Sequence, residues 1–330
     1  MQCDVMSEIA SATSPLAQGW ARIVGRVARL SLEETRVSRR GFDVDRPDVV
    51  QRLEAIGSHF AYGYNLALRS CRIDELVRAL EVRAPADAGF AYEGAAMGLA
   101  IADWMTPGRH LFEAFLAGPA RQHEYMVWVG QGWALARLPV SPLRALRTHR
   151  GLNKWLALDG WGFHEGYFHW RRSNAGRRRP RLTDADALRV FDQGLGRSLW
   201  FVFGARPDAV SDAISVLPST RHADLWSGVG LAAAYAGCVP PRDWTALRAA
   251  AGPHMPALAQ GVVFAAQARQ LAGNNVPHTE WACQSLLKLD SASAATIALE
   301  CLPRDDDSLQ AYQSWRGAIQ QRCAGAASPA

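Results

Sequence analysis

The chain has 330 residues, 49% hydrophobic and 20% charged, which is enough apolar side chain for a large core and rules out a disordered polymer. Arg, Asp, Gly or Pro interrupts every apolar run before the roughly 18 to 20 residues that a bilayer-spanning helix needs, so no transmembrane segment is expected. The net charge is +5, but six arginines and no acid lie between Arg171 and Arg181, and without those six it would be −1, so the basic excess is local.

In chain order, the N-terminus MQCDVMSEIASATSPLAQG lacks the basic start and unbroken apolar stretch of an export signal, which points to the cytoplasm. Residues 1–50 form an N-terminal segment in which WARIVGRVARL sets Trp20, Ile23, Val24, Val27 and Leu30 toward one side. That amphipathic face suits packing on the core, or peripheral membrane contact. Residues 51–142 read as a first helical repeat, with stripes such as Ile73, Leu76, Val77 and Leu80, and with breaks at Thr106-Pro107-Gly108, Gly118-Pro119 and Pro139 to Pro142. Residues 143–190 read as a bridge that begins helically and ends in the arginine-rich loop. Residues 191–273 read as a second helical repeat and residues 274–330 as a C-terminal helical tail.

The two repeats align at a near-constant offset: Gly63 with Gly196 at 133, and Gly94 with Gly228 and the two Ala-Gly-Pro strings at 134. The expected fold is all-α, a tandem duplication of stacked helical hairpins joined by a helical bridge. Glycines recur in the helical runs, at Gly94 and Gly98, Gly160, Gly162 and Gly166, and Gly228 and Gly230. No strand precedes them and no Walker sequence is present, so they suit close helix packing better than a phosphate cradle. The six cysteines show neither a C-x-x-C pair nor a metal-ligand spacing with histidine, so no metal and no cofactor is expected.

The densest polar cluster in apolar surroundings is Asp159, His164, Glu165 and His169, within WLALDGWGFHEGYFHW. On a helix Glu165 and His169 are one turn apart, with Trp161 one turn before Glu165. A carboxylate beside a tryptophan is raised in pKa by desolvation, the condition for acid–base work near neutrality, so Glu165 is the first candidate acid. Asp192 is placed to pair with Arg197 or to cap a helix, in a cluster followed by Trp200. Glu93, Asp159 and Ser227 each precede a glycine; convergence of their helices would bring them to one cavity lined by Trp161, Trp200 and Trp226. Arg177, Arg178 and Arg179 are candidates for docking an anionic partner. No nucleic-acid-binding pattern surrounds them, so nucleic acid is not an expected partner.

The strings GFAYEGAAMGLAIAD, YMVWVGQGWALARLP, WLALDGWGFHEGYFHW, DQGLGRSLWF, ADLWSGVGLAAAYAG, LAQGVVFAAQAR and PHTEWAC occur in this order. Together they resemble the enediyne biosynthesis proteins, an uncharacterised-domain family that accompanies enediyne polyketide synthases. The resemblance runs from Glu34 to Leu287 and implies a role in natural-product biosynthesis, on a polyunsaturated polyketide-derived core. It brings no catalytic assignment. Two functions fit the residues: a cyclase or isomerase acting by acid–base chemistry on a hydrophobic polyene, polyketide or terpenoid, in an aromatic-lined helical cavity; or a non-catalytic scaffold that binds a polyketide synthase or carrier protein. A homodimer is compatible with either.

Overall fold

A computed structural model describes residues 29–69, 72–106, 108–173, 180, 182–240 and 243–326. Among these the regular structure is entirely helical. The longer helices are α1 (Pro47–Arg69), α2 (Ile73–Glu81), α3 (Pro85–Met105), α4 (Leu111–Ala117), α5 (Glu124–Leu135), α6 (Leu156–Phe168) and α7 (Ala185–Val202). They continue with α8 (Pro207–Ser215), α9 (His222–Ala236), α10 (Trp244–Ala251), α11 (Met255–Leu271), α12 (Pro277–Leu287), α13 (Ser291–Glu300) and α14 (Leu309–Ala326). Among the described residues no helix is long and apolar enough to cross a membrane.

Local chemistry sets the ends. Pro85, Pro207 and Pro277 each open a helix, where their missing N–H costs nothing. Asp184 caps α7 by accepting from the Ala187 amide at 3.0 Å.

Two kinds of helix alternate. The short α2 is amphipathic, burying Leu76 and Leu80 while its charged residues stay outside. By contrast α3 is buried on every side from Ala88 to Ile101, which requires neighbours on every side. Seven inner helices, the half-buried α1 and then α3, α5, α6, α7, α9 and α11, pack in chain order, each against the next.

Glycine makes that packing possible. Gly130 of α5 faces the backbone of α3, and Gly132 faces α6; the pairs Gly160/Gly162, Gly194/Gly196 and Gly228/Gly230 repeat the arrangement on α6, α7 and α9. Residues two apart lie about 200° apart around a helix, so one glycine serves the preceding neighbour and the other the following one. An added Cβ at any of these positions would stand well under 3.0 Å from a neighbour's carbonyl oxygen.

The inner helices run parallel, because paired positions advance together: Arg189 with Asp224, Gln193 with Ser227 and Trp200 with Gly237. Neighbours that bond across the row lie 34 residues apart in Asp159–Gln193, Gln193–Ser227 and Tyr235–Arg269, and 33 apart in Ser227–Gln260. The all-α expectation holds. The packing expresses a shorter period than a two-copy duplication, and the 133-residue offset from Gly63 to Gly196 spans four of its steps. The expected bridge contributes α6, which takes a place in the row like any other inner helix.

The row also winds back on itself. Arg52 of α1 donates to the Ala236 carbonyl at 3.0 Å and pairs with Asp87 at 2.7 Å. The Arg269 guanidinium joins the carbonyls of Ala86 and Tyr235, at 2.6 and 2.7 Å, and Asn274 donates to Pro85 at 2.9 Å. Beginning and end are thereby tied, and the first five inner helices enclose a cavity.

Candidate functional site

The cavity is narrow, with about 40 Å3 open to water-sized spheres, and lies between α1, α3, α5, α6 and α7. Trp133 is the hub of its wall. Its ring centroid lies 4.5 Å from Phe60, 5.3 Å from Phe163, 6.0 Å from Tyr167 and 5.8 Å from Phe168. Phe201 extends this surface at 5.2 Å from Phe163, and Phe90 and Ile56 complete the apolar lining. The remaining side is closed by a strap from Leu30 to Thr35. Asn65 anchors the strap, accepting from the Leu30 amide at 2.9 Å and donating to its carbonyl at 2.8 Å. Thr35 then lies against Gly57, where a side chain on α1 would collide with it.

Two charged side chains reach this lining from the row, Glu93 on α3 and Arg197 on α7. Glu93 is 2% exposed, and the Trp133 indole donates to its Oε1 at 3.0 Å. Arg197 is committed to Asp159, with which it forms a buried ion pair, while its guanidinium carbon lies 4.8 Å from the Phe163 ring centroid. One cation thus serves two carboxyl groups and touches only one of them. Burial pushes the Glu93 carboxyl up to about 7, against the pull of Arg197 and the indole bond. Near neutrality the group is therefore poised between acid and base. Its aromatic surroundings present π faces suited to a positive charge.

Glu93, Arg197 and Asp159 come together as a unit, but the other expected site residues are distributed differently. Asp159 stands behind Arg197 rather than in the cavity lining and starts a buried ladder: Gln193 donates to it at 2.8 Å, and Ser227 lies 3.1 Å from Gln193 and 2.7 Å from Gln260. The expected convergence of Glu93, Asp159 and Ser227 on one cavity is not found: they stand on α3, α6 and α9, with α5 and α7 between them, and of the three only Glu93 lines the cavity. The expected Asp192–Arg197 pair is corrected as well: Asp192 is held by Arg221 through two bonds of 2.8 and 2.6 Å.

Glu165 is buried but absent from the cavity lining, and its Oε1 lies 3.6 Å from His164 Nδ1. His164 receives the Arg137 guanidinium at 3.2 Å and packs edge-on against Trp133. Burial pulls the His164 imidazole below its ordinary range. α6 ends at Phe168, so His169 leaves the helix and its amide closes the last turn onto Glu165 O at 2.9 Å. The three tryptophans expected to line the cavity do not: Trp161 packs against Phe191 at 5.5 Å, Trp200 donates to the Gly237 carbonyl at 3.0 Å, and Trp226 is buried in the core. Arg177, Arg178 and Arg179 lie outside the described residues, as does most of the amphipathic segment before Leu30. Among the described residues no group of three or more His, Cys, Asp or Glu side chains could hold a metal ion.

The lining aromatics Phe60, Phe90, Trp133, Phe163, Tyr167 and Phe201 were not singled out by sequence. Their signal is position relative to the packing glycines: Phe60 is three residues before Gly63, Phe90 four before Gly94, and Trp133 follows Gly132. No curated protein and no solved structure matches the chain. Residues 19–323 match a family described as protein of unknown function (DUF1702), and the chain belongs to that family.

Proposed function

We propose that the chain is an acid–base catalyst, a cyclase or isomerase, that acts on an apolar unsaturated chain in the aromatic cavity with Glu93 as the proton donor and acceptor. One observation carries this reading: the Glu93 carboxyl, raised to about 7 by burial, lies in a mainly aromatic and aliphatic lining whose other charged members, Arg197 and Glu34, are paired with Asp159 and Arg40. Glu93 gives its proton to an alkene carbon, and the carbon that becomes positive is stabilised by neighbouring π faces. Loss of a proton from an adjacent carbon returns it to the carboxylate. The double bond has then moved, or a ring has closed, and no electrons have been exchanged with a third party. The resemblance to enediyne biosynthesis proteins supports a polyunsaturated polyketide- or terpenoid-derived substrate and a place in natural-product biosynthesis.

The test compares metabolites from a producing strain carrying the wild-type gene, a deletion, or Glu93→Gln, which keeps volume and hydrogen bonding but removes the titrating proton. Catalysis by Glu93 requires that Glu93→Gln accumulate folded to wild-type levels and yet lose the product as the deletion does. Normal product from Glu93→Gln, with product lost in the deletion, would instead support a non-catalytic scaffold for a synthase or carrier protein.

A further inference from the structure

A second concavity lies on the outer side of α1, beside the strap that closes the central cavity. It is open to solvent and holds about 490 Å3. Arg29 just before the strap, Arg69 of α1 and Arg83 after α2 all line it, with His59 of α1, and no carboxylate is among its lining residues. None of these three arginines forms an ion pair among the described residues, whereas Arg52 elsewhere on α1 is paired with Asp87. Three guanidinium groups around one hollow repel each other, and an anion removes that repulsion.

The cations rest on fixed supports. Arg83 stacks on the Tyr62 ring at 3.6 Å, and the Tyr62 hydroxyl donates to the Ala79 carbonyl at 3.1 Å. Stacking occupies the face of a guanidinium and leaves its in-plane N–H fork, whose geometry matches two phosphate oxygens. His59 adds an imidazole whose Nδ1 is buried without a hydrogen-bond partner, while its Nε2 lies 3.5 Å from Asp87. The lining also includes apolar groups, Leu66 and the 57% exposed Leu32, which suit the organic part of a ligand.

We infer that this groove binds the phosphate group of a soluble organic phosphate ester, with the arginines holding the oxygens and the leucines covering the adjoining carbon chain. The groove is separate from Glu93, and the inference does not rest on the proposed acid–base chemistry.

Isothermal titration with octyl phosphate, below its micelle concentration and at low salt, is the direct probe. Saturable binding at one site is expected, stronger than for inorganic phosphate and weakened by added salt. Arg83→Gln and Arg69→Gln should each weaken it by about ten-fold or more, the loss expected when a charge-assisted bond is removed. Arg69 is exposed, so Arg69→Glu tests the charge with the fold intact, and it should abolish binding. Glu93→Gln should leave the affinity unchanged. Equal affinity in wild type and the Arg69→Gln, Arg83→Gln double variant would overturn the inference. So would binding to phosphatidic acid vesicles without any binding of octyl phosphate, since the ligand would then be a membrane surface.

Discussion

Replacing Glu93 by Gln removes one titrating proton from the centre of the protein and should change how stability depends on pH. The carboxyl titrates at about 7 in the folded chain, against an ordinary value of 4.5. Below 4.5 it is protonated in both states and carries no charge penalty. As pH rises, the unfolded chain gives up its proton first, so folding becomes less favourable until the folded chain ionises near 7, where the penalty is complete. The interval corresponds to about 3 kcal/mol, at about 1.36 kcal/mol per pH unit. Gln never titrates. Urea unfolding of both proteins at about pH 4.5 and about pH 8 isolates the group, because every other titrating residue is shared. The unfolding free energy of Glu93→Gln minus that of wild type should rise by about 3 kcal/mol across this range and then level off. A difference that stays constant, or that falls as pH rises, would refute the reasoning, because it would mean that Arg197 and the indole bond stabilise the ionised form at least as much as burial opposes it.

Other consequences can be checked alongside. Gly162→Ala and Gly196→Ala, each driving a methyl group into a neighbour's carbonyl, should lower stability by about 1–3 kcal/mol or more in urea unfolding. Gly317→Ala, on α14 with nothing within 4 Å, should raise stability by up to about 1 kcal/mol in the same assay. Arg197→Met leaves Asp159 charged and buried without its partner and should cost about 3–5 kcal/mol, while Asp159→Asn on that background should recover part of the loss in a double-mutant cycle. Glu165→Gln should make normal amounts of product in the metabolite comparison, since Glu165 does not line the cavity.

The helical class was legible because prolines and glycines punctuate runs with three- and four-residue periodicity. The role of the glycines in close packing was legible too, but not which neighbour each of them meets. Gly162 and Gly166 share one face and draw the eye as a pair, whereas Gly160 and Gly162, two apart, serve opposite neighbours and reveal the row. Glu93 and Arg197 were named as candidates, but Glu165 was ranked above Glu93 because its tryptophan lay one turn away in sequence. The indole that bonds Glu93 belongs to Trp133, 40 residues on, and only the register of α5 against α3 brings it there. Asp192 likewise has Arg197 near it in the chain and Arg221 against it in space. Register between parallel helices is set by backbone contact at glycines, and a single sequence does not display it.

An open stack of helical units draws its stability from neighbouring units, unfolds in segments and tolerates loss of an end. This chain ties its second inner helix to its last through Arg269, across 183 residues, and to the turn after it through Asn274, across 189, and its first to Ala236 across 184. Those long closures place it nearer to a closed single-domain protein in behaviour. Unfolding should be concerted rather than progressive, and truncation at either end of the row should expose Arg52 or Arg269 sites together rather than one unit at a time. Folding must wait for the last inner helices to arrive, so it should be slow relative to all-α proteins dominated by local contacts.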